Sequence, residues 1–195
     1  MKQRLTSLLA ALLLLGGLFA LLGPQRVAAE NGQEARIAAL GVKLGGGQML
    51  VDFQLIGGFG EELQQRIDSG LPTGLIYEIE LLRARRSWLD ESLASGELQV
   101  IAMYNALTRE YLINFKHDGN LILSKVVREP AELRQAMTAI HDLPAFSAEE
   151  RWREEKLQLR VRAELGTGTT FFFIPHTVRT EWAESAAFRL RDLAL

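Results

Sequence analysis

Leu157, Leu159, Val161, Ala163 and Leu165 alternate without a break with Gln158, Arg160, Arg162 and Glu164. A period of two sends every second side chain to the same face of an extended chain, so this segment reads as a strand with one buried and one wetted face. A helix would scatter the same apolar residues around its axis. The pattern recurs at Leu75, Tyr77, Ile79 and Leu81, in a strand expected from Leu75 to about Arg86, and at Val51, Phe53 and Leu55 against Asp52 and Gln54. Strands of this kind belong to antiparallel sheets.

The turns between them support hairpins. Gly45-Gly46-Gly47 separates Ala35–Leu44 from Gln48–Ile56. Asp118-Gly119, within His117–Asn120, suits the positive φ angles of a two-residue turn between strands Glu110–Lys116 and Leu121–Val127. Gly166 to Thr170 reads as a further hairpin loop, followed by Phe171-Phe172-Phe173-Ile174-Pro175. Phe59, Leu63 and Ile67, four residues apart, predict a short helix that stops at Gly70, and Glu129-Pro130 opens a second whose stripe is Leu133, Ala136, Met137 and Ile140 and which ends before Pro144. Asp90 to Gly96 predicts a helical turn leading into a strand at Glu97–Tyr104; Ser147 to Glu150 has the spacing of a capping box, and Ala187 to Leu193 forms an alternating tail. The expectation is a mainly β fold, an antiparallel sandwich or partly open barrel of about seven to nine strands with two or three short helices over its ends or edges.

The first residues are of another kind. Lys2 and Arg4 precede an apolar run from Leu8 to Leu22, then Gly23-Pro24 and the small-residue site Val27-Ala28-Ala29 before Glu30. These are the three parts of a secretory signal, with cleavage expected after Ala29 and one mainly β domain over residues 30–195. The competing reading is an uncleaved anchor, since the run is only a little shorter than the roughly 17–25 residues that span a bilayer. Either reading places the domain outside the inner membrane, with membrane contact only through the N-terminal segment if it stays. Without Lys2, Arg4 and Arg26 the net charge moves from −2 to −5, which argues against nucleic acid as a partner. The chain has no cysteine, so disulfides, thiolate metal sites, thiol nucleophiles and acylated lipoprotein cysteines are excluded.

No constellation of catalytic type emerges. His117, His141 and His176 have no metal-ligand spacing; Gly57-Gly58-Phe59-Gly60 precedes a helix but lacks a third glycine and a following Lys-Ser/Thr, and Glu61 and Glu62 occupy the place a phosphate would need. The carboxylate pairs Glu61-Glu62, Asp90-Glu91, Glu149-Glu150 and Glu154-Glu155 read as complements to helix starts, and no serine lies in a Gly-x-Ser-x-Gly turn. No catalytic residue, cofactor or metal is therefore expected. For partner contact the candidates are Arg83, Arg85, Arg86 and Trp88, a basic patch beside an aromatic ring, and Phe172, because a strand through Phe171–Ile174 cannot bury all its apolar side chains on one face. The bland alternative for the arginines is pairing with Glu78, Glu80 or acids of neighbouring strands.

The order of Val51-Asp52-Phe53, Ile67-Asp68-Ser69-Gly70-Leu71-Pro72, Tyr77-Glu78-Ile79-Glu80-Leu81, Arg83 to Trp88, Tyr104 to Tyr111 and Trp182-Ala183-Glu184-Ser185 resembles the bacterial domain of unknown function 4390 family. The glycine-leucine-proline turn, the aromatic-acidic strand and the Tyr104-x-x-Leu107-x-x-x-Tyr111 spacing are its most specific parts. Gly57 to Gly60 and Phe171 to Phe173 stand as departures of this member. The resemblance implies an exported envelope protein, encoded in some cases near membrane-bound sensor kinases, and implies no catalytic or ligand-binding residue. A non-catalytic binding or scaffolding domain is thus expected, accessory to an envelope or inner-membrane protein. The alternative is a small-molecule or lipid carrier with a cavity between sheet and helices, and an enzyme stands behind both.

Overall fold

Alternation becomes register in the computed structural model of the chain, which describes residues 34–84, 91–170 and 174–193. A small sheet holds β1 (Arg36–Gly45), β2 (Gln48–Ile56) and β7 (Ala139–Ser147), in the order β1-β2-β7. A larger sheet is built on β3 (Thr73–Arg83), flanked by β4 (Glu91–Asn105) and β8 (Leu157–Thr170). Beyond β4 come β5 (Glu110–His117) and β6 (Asn120–Val127); beyond β8 lie β9 (Ile174–Arg179) and β10 (Ala183–Glu184). All pairings are antiparallel. With α1 (Glu61–Asp68) and α2 (Pro130–Thr138), the described residues form the expected mainly β, sandwich-like fold, with ten strands where seven to nine were expected.

The core lies between the apolar faces. Leu75, Tyr77, Ile79 and Leu81 of β3, Leu98 and Val100 of β4, and Leu159 and Val161 of β8 meet Met49, Val51 and Phe53 of β2 in one continuous buried cluster. The Phe53 and Tyr77 rings lie 4.9 Å apart and tilted, a favoured aromatic arrangement. The Tyr77 hydroxyl, buried with its ring, donates to the carbonyl of Met137 at 2.7 Å and so ties the end of α2 to the sheet. Leu133 and Met137 fill the remaining space from α2, and Ile67 does so from α1.

Beside β8 the edge of the large sheet is broken into two pieces, and side chains take over where backbone pairing lapses. Thr180 donates its N–H to Ala163 and accepts the Ala163 N–H on its hydroxyl at 3.0 Å; Ser185 does the same for Leu159. No buried N–H of β8 at these positions is stranded.

Several expectations need correction. The predicted helical turn ending at Gly96 is strand from Glu91 onward, Asp90 lying outside the described residues. Gly96 is not a helix stop: a Cβ there would stand 3.0 Å from His117 Nε2 and 3.6 Å from Phe146, so the strand needs the space. The second helix ends at Thr138, and the chain through Pro144 forms β7. Its bulge at His141-Asp142 upsets the period of two, and Pro144 sits on an edge strand, where a missing N–H is tolerated. Ser147 closes β7 and caps nothing, since the following 3₁₀ turn Glu150–Trp152 has no side-chain cap. Gly166 to Thr170 is not a loop but continues β8 and pairs with β9; residues 171–173 lie outside the described residues. The tail makes one bridge, Phe188 to Leu157, and then a 3₁₀ turn at Leu190–Asp192 that buries Leu190.

Candidate functional site

A sheet edge presents unpaired backbone donors and acceptors, and natural proteins blunt it with bulges, prolines, breaks or charges. The four edges of this sandwich differ in this respect. β1 is bulged between Ala38 and Gly41, with Ala39 at φ 53°. β7 carries Pro144 and a bulge with Asp142 at φ 52°. The β9–β10 edge is interrupted at Thr180. β6 is a continuous eight-residue strand with one irregularity near its start.

β6 is also where apolar surface collects. Of the six large apolar side chains exposed among the described residues, four are its own: Leu121 (59% exposed), Ile122 (44%), Leu123 (54%) and Val126 (56%). A cleft of about 400 Å³ opens between β4–β6 and the α2–β7 segment, lined by Leu98, Phe115, Ile122, Leu123, Ala136, Ile140 and Leu143, with Lys125, His141 and Asp142 among its walls. Lys125 pairs in register with the fully buried Ile113 and Leu123 with Phe115, so both side chains belong to the inner face.

The opposite rim is held by charges. Asp52 accepts the N–H of Asp142 at 2.8 Å, and Lys43 bridges Asp52 at 2.9 Å and Asp142 at 2.7 Å. Partial burial pushes the Asp52 carboxyl up, but the Asp142 N–H and Lys43 outweigh it and hold the group below the usual carboxylate value; Lys43 is correspondingly raised by Asp142 and Asp52. A carboxylate whose folded pKa is depressed stabilises above its unfolded pKa near 4, and that contribution is lost as pH falls through the lower folded value. Asp52→Asn is therefore expected to flatten the acid limb of a stability-versus-pH curve below about pH 4, with a loss of about 1 kcal/mol at pH 7, measured by urea unfolding at several pH values.

The wetted face of β3, β8 and β9 carries a ladder of ion pairs. Glu78 and Glu80 of β3 face Arg162 and Arg160 of β8, each arginine giving Nε and Nη2 to one carboxylate oxygen at 2.6–3.1 Å. Arg179 bridges Glu78 and Glu164. The Trp182 ring lies over both Arg160 and Arg162, at 4.5 and 4.4 Å. Trp182 and Ser185 thus act together, one stacking on the ladder and the other closing the strand edge. Trp182→Ala is expected to lose about 1–2 kcal/mol from the two cation–π contacts, readable as a lower denaturation midpoint.

Of the residues singled out for partner contact, Arg83 is engaged by Glu91 at 3.0 Å and Glu155 at 3.2 Å. Arg85, Arg86, Trp88 and Phe172 lie outside the described residues. Glu78 and Glu80 pair with Arg162 and Arg160 of β8, and Arg179 of β9 also reaches Glu78. His117 packs over Gly96 and His141 stands 3.9 Å from Asp52; among the described residues no three histidine or carboxylate groups converge as a metal site would require. The residues that sequence reasoning passed over are those of β6. Their signal was present: Leu121-Ile122-Leu123 puts more consecutive apolar residues into a strand than one face can bury.

Among the described residues no helix is long and apolar enough to cross a membrane. Neither a curated protein nor a solved structure matches the chain. A family model does, over residues 32–170, which takes in both sheets from β1 to the end of β8. The chain belongs to the family described as a domain of unknown function, DUF4390.

Proposed function

We propose that this protein is a non-catalytic binding domain of the bacterial envelope and that it contacts its partner through β6 and the cleft beneath it. The observation that carries this reading is the concentration of exposed apolar side chains on β6, an edge strand without proline and with a single bulge, at Ile122. Apolar surface of this kind on an otherwise charged protein marks an interaction site. Export is supported by Lys2, Arg4, the Leu8–Leu22 run and Val27-Ala28-Ala29. The partner is an envelope or inner-membrane protein, to which this domain is an accessory or scaffold.

A carrier of small apolar molecules is the second reading, favoured by the volume and lining of the cleft. The cleft is an open groove at the margin of a filled core, which suits a protein contact better than an enclosed cargo. Co-purification tests the binding reading. The C-terminally tagged chain, produced in its own cell and extracted with the envelope fraction, is expected to retain an envelope protein that a Leu121→Lys/Leu123→Lys variant loses. Equal recovery with both proteins, or none above the untagged control, would count against it.

A further inference from the structure

Resting on that reading, we propose that the occupant of the β6 edge is an extended segment of a partner polypeptide, added as a further strand, with an acidic side chain facing Lys125. Beyond the bulge at Ile122 the outer edge of β6 offers backbone donors and acceptors in regular register from Leu123 to Val127, and a polypeptide strand supplies the complementary series at the same spacing. Alternate side chains of an added strand would point inward, over Leu123 and the Phe115–Ile140 cleft, and so should be apolar.

Lys125 sets the remaining requirement. It stands on the inner face beside apolar neighbours, and among the described residues no hydrogen bond or ion pair engages it. An inward-pointing charge on an edge strand opposes indiscriminate pairing, because covering it without a counter-charge is unfavourable. A second copy of β6 brings no such charge: Asn120-Leu-Ile-Leu-Ser-Lys-Val-Val127 contains no acid, and self-pairing would cover two lysines with apolar side chains. A foreign strand with glutamate or aspartate at the facing position satisfies the lysine and fixes its own register. The same residue therefore excludes the protein's own copies and selects the partner.

The test uses the exported protein, purified as the cell processes it, and a phage library of random twelve-residue peptides. Selection on the wild type is expected to enrich peptides with apolar residues at alternate positions and an acid in phase with them. Selection on Lys125→Glu, an exposed substitution that leaves the melting curve in place, is expected to replace that acid with lysine or arginine. For the best wild-type peptide, changing the acid to lysine should weaken binding at least about tenfold, with recovery on the Lys125→Glu protein. Hydrogen exchange should place the new protection on Leu121–Val127. An acid preference unchanged by Lys125→Glu, or no enrichment at all, overturns the proposal while leaving the co-purification result untouched. Protection on another element moves the binding site and overturns it too. Sedimentation as a dimer that Leu121→Lys/Leu123→Lys dissociates would make a second copy the occupant. Protection of the cleft by lipid vesicles and not by peptides would make it a lipid.

Discussion

Replacing Tyr77 with alanine is expected to remove about 4–5 kcal/mol of stability and to lower the melting temperature by about 10–20 °C. Tyr77 sits in the central strand of the large sheet, wholly buried, with Phe53 of the facing sheet on its ring and Met137 on its hydroxyl. Truncation empties the space between the sheets and strands the Met137 carbonyl. Tyr77→Phe keeps the ring and removes only the donor, so it should cost about 1–3 kcal/mol; the two variants, compared by thermal and urea unfolding, separate packing from the hydrogen bond. Burial also pushes the Tyr77 hydroxyl far above its ordinary value near 10. A group that ionises more readily unfolded than folded stabilises fully below its unfolded pKa, and stability falls as pH rises past it. The wild type should therefore weaken above about pH 10, and Tyr77→Phe should weaken less steeply.

Gly74→Ala should be nearly as damaging although it adds one methyl group. A Cβ at this position would stand 2.3 Å from the carbonyl oxygen of Val100 and 3.0 Å from the Cα of Ile101. Both atoms are backbone of β4, which is fixed between β3 and β5, so no flexible side chain can yield. A loss of about 3 kcal/mol or more is expected, a fall of about 6–12 °C in melting temperature. Calorimetry of the purified variant checks it, and a shift within about 2 °C of wild type would show that β3 and β4 can separate without breaking their pairing.

The sequence was most legible where a single pattern governed a segment. β2, β3, β5 and β8 bury one face and wet the other, and their alternation places Leu75, Tyr77, Ile79, Leu81, Leu159 and Val161 in the core as read. α1 and the Asp118-Gly119 turn were equally plain, because glycine and aspartate mark the positive φ angles that both require. Legibility failed where distant residues decide. β7 looks helical because its bulge breaks the alternation and its neighbour α2 has a helical stripe; only pairing with β2 makes it a strand. Gly96 looks like a helix stop until the His117 ring occupies its missing side chain's place. Of the contact candidates after Leu82, Arg83 is held by Glu91 and Glu155, while Arg85, Arg86 and Trp88 lie outside the described residues. Whether a strand is an edge is a property of sheet order, and sheet order is not written in any local pattern. β6 could be seen to be too apolar for one buried face, yet not to lack a neighbour.

The position of the contact surface is most directly measured by photo-crosslinking in living cells. A photoreactive residue is placed singly at Leu121 and Val126 on β6 and, as controls, at Leu107 in the β4–β5 turn and Glu62 on α1. Leu107 is the severe control, being apolar and 95% exposed at a site away from the cleft. The expected result is one and the same envelope adduct from both β6 positions and none from Leu107 or Glu62. Adducts of equal yield from Leu107, or from the controls alone, would contradict the assignment of β6 as the binding edge.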